Sequence, residues 1–162
     1  MALKEKTMQR PVEARKEEFL ISTDKALLQT DVIHRYLSQE SYWAEGIPRS
    51  IVERSIEGAL CFGIYTNGQQ IGFARVITDF ATFGYLADVF VLDAWRKRGL
   101  SKWLMEVVLS HPGLQDLRRM MLITQDAQGL YKQFGFSVWE FPERSMSKRI
   151  GKTYAEMNAA HS

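Results

Sequence analysis

The sequence is poor in cysteine: among 162 residues Cys61 stands alone. One thiol cannot close an internal disulfide, and it offers no zinc-binding spacing. The three histidines, His34, His111 and His161, make no metal spacing either. No metal is therefore expected. Long apolar runs are missing too, and none approaches the roughly 18 residues of a membrane span. The opening MALKEKTMQR holds no apolar stretch of the secretory kind. These absences set the expectation of a cytoplasmic protein with no membrane partner. A surplus of one charge sign is also lacking. Twenty-one Lys and Arg face nineteen Asp and Glu, for a net +2, so the global basic footprint of a nucleic-acid binder is absent. What is present, 46% hydrophobic and 25% charged residues, is an ordinary folded composition. A chain of this length can form one domain and bury roughly 70% of its unfolded surface.

Residues 1–17 carry charges of mixed sign without a period and read as a mobile leader. The fold is expected over residues 18–150, with a frayed tail over 151–162. A short strand near Phe19-Leu20-Ile21 precedes a helix capped by Thr23 or Asp24, with Leu28, Val32, Ile33, Tyr36 and Leu37 at helical spacing. A loop over 38–46 carries Tyr42 and Trp43, and Pro48 suits the first turn of a second helix. Strands over 60–65 and 71–78 flank Asn67-Gly68, the pair that a type I′ hairpin turn favours. Residues 85–92 are apolar on both faces apart from Asp88, as in a central strand. A helix with Leu100, Leu104, Val107 and Val108 on one face then runs to His111-Pro112-Gly113. A strand over 119–124, a short helix from Asp126 and two strands over 137–141 and 146–150 complete the order. No repeat and no linker interrupts it. The fold class is one α/β (α+β) domain.

The passage from strand to helix at Val89 to Lys102 carries the sharpest chemistry. A buried strand runs out, a basic turn follows, and a helix begins. First-turn N–H groups and the helix dipole make an anion site. Gly99 allows close backbone approach, Ser101 adds a hydroxyl, and Arg96, Lys97, Arg98 and Lys102 add positive charge. The run is neither a P-loop nor Gly-x-Gly-x-x-Gly. Taken alone, it reads equally as an exposed basic turn.

Two motifs then resemble one family. Arg96-Lys97-Arg98-Gly99-Leu100-Ser101 is similar to the Arg/Gln-x-x-Gly-x-Gly/Ala signature of the GNAT superfamily of acetyl-CoA-dependent N-acetyltransferases. About thirty residues on, Tyr131-Lys132-Gln133-Phe134-Gly135-Phe136 resembles its Tyr-x-x-x-Gly-Phe signature. Ser101 departs from the family's usual Gly or Ala but stays small. The resemblance implies a central mixed, mostly antiparallel sheet flanked by helices, with a V-shaped splay between the strands at 85–92 and 119–124. In that splay the acetyl-CoA cosubstrate would pair with Val89, Phe90 and Val91. Its pyrophosphate would meet N–H groups of Arg98, Gly99, Leu100 and Ser101, with Arg96, Lys97 and Lys102 around it. Asp126, Ala127, Leu130 and Tyr131 would line the other side.

The implied chemistry is attack of an amine on the thioester, with Tyr131 as general acid to the thiolate and a backbone N–H near Val91 steadying the oxyanion. A core tyrosine is the plain alternative for Tyr131. Asp88 is a candidate base, on the face opposite Val89 and Val91 unless a bulge intervenes; its plain alternative is a structural carboxylate. Tyr85 is a candidate for ordering a proton-carrying water, and Asp79 is a loop candidate for the base. Tyr42, Trp43 and Arg49 would shape the acceptor pocket, with Thr82 and Phe83 as its opposite lip. The acceptor would be a small-molecule or peptide amine, with no nucleic acid, and a homodimer is left open. The competing readings are a catalytically inactive acyl-CoA-binding or sensing module and a nucleic-acid binder using the basic clusters.

Overall fold

The computed structural model describes residues 10–161. The chain divides into two compact units, one ending at Leu122 and one starting at Ile123. Among the described residues no helix is long and apolar enough to cross a membrane.

The first unit is built on a six-stranded sheet in chain order: β1 Glu13–Lys16, β2 Phe19–Ser22, β3 Leu60–Thr66, β4 Gln69–Thr78, β5 Phe83–Val91 and β6 Arg119–Met121. Every neighbouring pair is antiparallel except β5 with β6. The sheet is thus mixed and mostly antiparallel, as expected. β1 lies within the stretch read as a leader and pairs with β2 from Glu13↔Ser22 to Lys16↔Phe19. Residues 1–9 of that stretch lie outside the described residues. The β3–β4 turn is the expected one: Asn67 has φ 48° and Gly68 φ 74°, the left-handed pair of a type I′ turn.

The bounds of the helices differ from the sequence expectation. Asp24 does cap, its carboxylate accepting from the Ala26 N–H, but it opens only a 3-10 turn, Lys25–Leu27. Helix α1 is Thr30–Arg35 and widens into a π turn over Tyr36–Glu40. Helix α2 is Arg49–Glu57, with Pro48 at the N-cap, and α3 is Leu100–Ser110. The sheet's core comes from Phe62, Ile64, Phe73, Val76 and Leu104, none of them solvent-exposed. Each such side chain contributes about 1.5–3 kcal/mol by leaving water.

In the second unit α4 spans Gln128–Lys132, a 3-10 turn covers Pro142–Arg144, and α5 is Tyr154–Ala159. The two strands expected over 137–141 and 146–150 are not formed, and Val138, Met146 and Ile150 are exposed. Pro142 offers no N–H to a ladder and opens the turn instead. A strand pair without a third strand is marginal, so alternating apolar residues did not suffice. The tail is helical rather than frayed: the Thr153 hydroxyl accepts from the Glu156 N–H, and the Glu156 carboxylate accepts from the Thr153 N–H. That is a capping box.

Candidate active site

At the C-terminal end of β5, the Leu92 N–H still bonds the Ile71 carbonyl at 2.8 Å. A 3-10 turn at Asp93–Trp95 follows, and then the basic turn. Lys97 (φ 60°) and Gly99 (φ 74°) are both left-handed. Gly99 is the N-cap of α3 and has no side chain to satisfy the first-turn N–H groups. A Cβ built on Gly99 would meet nothing within 4 Å. The space where a side chain at Gly99 would project is therefore open, beside a helix start of the kind that can bind a phosphate. Ser101 is half-buried, and Lys97, Arg98 and Lys102 are exposed around the opening.

The arginines here have partners of their own. Arg96 was expected to line an anion. Instead its guanidinium donates to the Val91 carbonyl, the Asp93 carboxylate and the Tyr36 hydroxyl, each at 3.1 Å. It braces the turn against the π turn after α1. Arg98 lies over the Trp95 ring, 4.9 Å from its centroid, a cation–π contact.

β5 and β6 pair only at Phe83↔Arg119, Gly84↔Met120 and Tyr85↔Met121. β6 stops there while β5 continues to Val91, so Leu86 to Val91 have no β6 residue paired with them. A bulge sits in that stretch. β4 pairs with β5 at Phe73↔Phe90 and again at Arg75↔Ala87. Between these pairs lies one residue, Ala74, on β4 and two, Asp88 and Val89, on β5. Asp88 takes φ 54° to accommodate the extra residue.

The bulge resets the faces of the strand. Tyr85 had been expected to share a face with Val89 and Val91. The register instead puts Tyr85 and Ala87 with Phe90, on the Phe73 and Arg75 side of the sheet. Asp88 is turned to that side as well. Its Oδ2 accepts from Arg75 Nε at 2.5 Å and its Oδ1 from Trp43 Nε1 at 2.9 Å. The Asp88 side chain is 8% exposed and the Arg75 side chain 17%. The carboxylate is thus ion-paired and doubly hydrogen-bonded, which suits a structural acid better than a free base. Burial, and next the Asp88 charge, raises the Tyr85 phenol above its ordinary pKa.

The remaining candidates are placed as follows. Trp43 contacts Tyr42 edge-on at 5.1 Å and Tyr36 at 6.3 Å, and Tyr36 stacks on Phe90 at 3.9 Å. Arg49 is taken up by Asp31 and Glu53. Asp79 accepts from the N–H groups of Ala81, Thr82 and Phe83 and from the Thr82 hydroxyl. Those bonds hold its carboxyl far below the usual range, Thr82 first among them. Thr82 is thereby committed to the loop, while Phe83 stays exposed. In the second unit Asp126 precedes α4 in an exposed bend, Ala127 is its N-cap, and Leu130 is half-buried. Tyr131 is buried, and its ring meets Phe136 edge-on at 5.9 Å.

Arg75 and Tyr36 were not singled out from sequence. Arg75 had a signal: it is the lone charge in β4 beside a strand whose lone charge is Asp88. Two isolated opposite charges on neighbouring strands point to each other. Tyr36 had none beyond its place on the apolar helix face.

The chain is similar to known proteins. A family model described as "Acetyltransferase (GNAT) domain" matches residues 57–138. A Gibberella zeae protein named "Putative acetyltransferase FG08082" is 34% identical over 134 residues, covering 70% of this chain and 76% of that protein. A crystal structure from Xanthomonas campestris pv. campestris, described as "a putative acetyltransferase belonging to the gnat family", is 50% identical. It superposes with a TM-score of 0.81 over 85% of this chain and 96% of its own. A Clostridium acetobutylicum structure described as "predicted acetyltransferase with acetyl-CoA" shares the fold alone, at 14% identity and a TM-score of 0.56, over 86% of this chain and 95% of its own. The chain belongs to the GNAT acetyltransferases, a family that uses acetyl-CoA and acts on amine acceptors, and is an N-acetyltransferase.

Proposed function

We propose that this protein moves an acetyl group from acetyl-CoA to a primary amine by direct attack, in the cytoplasm. The observation that carries the reading is the uncapped start of α3, where left-handed Gly99 offers no capping side chain and the space beside it is open. The N–H groups of Arg98 to Ser101 bind the pyrophosphate, and Lys97 and Lys102 add charge at the rim. The freed stretch of β5 supplies backbone groups of Val89 to Val91 for the pantetheine arm. Phe90 itself faces the Tyr36 side of the sheet.

An N–H near Val91 steadies the negative charge that gathers on the thioester oxygen. Tyr131 protonates the departing thiolate. A thiol of pKa about 8.5 leaves more readily with a proton from a phenol near 10 positioned beside it. The amine must lose a proton before attack. The raised Tyr85 phenol stays protonated at neutral pH and orders the water that receives it. Asp88 holds Trp43 in place rather than taking that proton.

Release of free thiol from acetyl-CoA in the presence of a panel of amines tests the reading. Amine-dependent release supports it. Tight acetyl-CoA binding without release from any amine would make the chain a binding module.

A further inference from the structure

One face of the sheet is only partly covered. Phe90 is shielded by the stacked Tyr36 ring, but toward the start of β5 the cover stops. Ile77 is 43% exposed and Phe83 39%. Ile77 pairs directly with half-buried Tyr85. Tyr42 and Trp43, also exposed, stand at the other border. Trp43 is anchored to Asp88, which also pairs with Arg75, and Arg75 and Ile77 share one face of β4, so Trp43, Ile77 and Tyr85 stand on the same side of the sheet. Tyr85 lies where the β5–β6 pairing ends, at Tyr85↔Met121.

Several charged groups around this surface are matched within the protein. Asp88 is paired with Arg75, Arg49 with Asp31 and Glu53, and Asp79 with its own loop. None of these pairs is left over for a second charge on a ligand, and a charge brought here without a partner is costly. An apolar body, in contrast, gains roughly 25 cal/mol for each Å² it removes from water. Flat rings gain further from edge and face contacts.

We infer that the acceptor is an amine carried on an aromatic or apolar body, seated on Ile77, Phe83 and Tyr85 against the Trp43 wall. Amino acids, polyamines and sugar phosphates, which bring a second charge, are poor acceptors. The inference rests on the proposed amine acetyl transfer and names its substrate class.

The test is equilibrium binding of 2-phenylethylamine, glycine and butane-1,4-diamine to the full chain saturated with CoA, alongside thiol release with each. 2-Phenylethylamine should bind at least about tenfold more tightly than the other two. Ile77→Gln changes an exposed residue, so the fold should survive. It should weaken 2-phenylethylamine about fivefold and leave CoA affinity unchanged. Equal or tighter binding of glycine or the diamine overturns the inference, as does no binding of 2-phenylethylamine or an indifferent Ile77→Gln. Selective binding without thiol release leaves the surface standing and removes the proposed chemistry. Release confined to the charged amines does the reverse.

Discussion

The two ends of α3 are finished in opposite ways. At its C-terminus the protein closes the helix itself. The His111 N–H donates to the Val108 carbonyl, and the Gln115 amide donates to the carbonyls of Leu109 and His111 at 2.8 and 2.9 Å. His111 is buried, with its ring edge-on to Phe62 at 5.7 Å. At the N-terminus a left-handed glycine stands where Ser, Thr, Asp or Asn would cap. A side-chain cap is worth about 1 kcal/mol to a helix. Going without one at this end, in a helix whose other end is closed by the protein's own donors, makes sense when a ligand takes the N–H groups.

The largest effect should separate binding at the open end from chemistry. Tyr131→Phe keeps the ring and removes one proton. Acetyl-CoA affinity should hold while turnover falls about 10²–10⁴-fold, the usual range for a general acid. Single-turnover rates decide, because product release can hide a chemical defect in the steady state. Equal rates would return Tyr131 to the role of a core tyrosine.

A second break aims at closure inside the sheet. Asp88→Asn leaves the Arg75 guanidinium largely buried without its counter-charge, which should cost about 3 kcal/mol of stability, measured by chemical denaturation. Adding Arg75→Met should recover much of that loss, since removing both charges removes the mismatch. A base at Asp88 predicts otherwise: a small change in stability and a lost acidic limb in the pH–rate profile.

The open end itself is tested at Gly99. Gly99→Val forces a β-branched residue to φ 74° and should cost about 1–2 kcal/mol of stability. It should also weaken acetyl-CoA about tenfold or more by filling the open space. Gly99→Asn sharpens the comparison, because asparagine tolerates the left-handed region. It should spare stability and still weaken binding in calorimetry. A Gly99→Asn protein that binds normally would show that the glycine serves the backbone alone.

Sequence made the frame of this site legible where a feature is local. Asn67-Gly68 specifies its own turn, and a basic run with one glycine between an apolar strand and an amphipathic helix marks the anion site. Features set by a neighbour were hidden. The bulge at Asp88 shows only in the pairing of β5 with β4, and strict alternation therefore assigned Tyr85 to the wrong face. Arg96, Arg49 and Asp79 all read as available charges, yet each is matched through a contact that composition does not reveal. The segments at 137–141 and 146–150 show the converse: their alternation fits a strand, but among the described residues the second unit has no third strand that would hold it.

The smallest effect concerns the closed end. Burial lowers the His111 pKa below its ordinary 6.5. Its Nδ1 accepts from the Gly113 N–H at 3.1 Å, a bond that a protonated ring cannot make. The native state therefore holds neutral imidazole, while the unfolded chain takes up a proton below about pH 6.5. Unfolded protein binding more protons means that stability rises with pH. The His111 contribution is complete above the unfolded pKa and is lost as pH falls through 6.5 toward the lower folded value. Asp79 acts in a different window. Its folded pKa is depressed, so its share is lost only as pH falls below the usual carboxylate range. Between pH 7 and 5.5 the slope should thus report His111. His111→Gln keeps an acceptor near Gly113 and removes the titration. Denaturation midpoints should then flatten over that interval, with acetyl-CoA affinity at the other end of the helix unchanged. A slope that persists in the variant would place the titrating group elsewhere, and a loss of acetyl-CoA binding would show that the two ends of α3 are not independent.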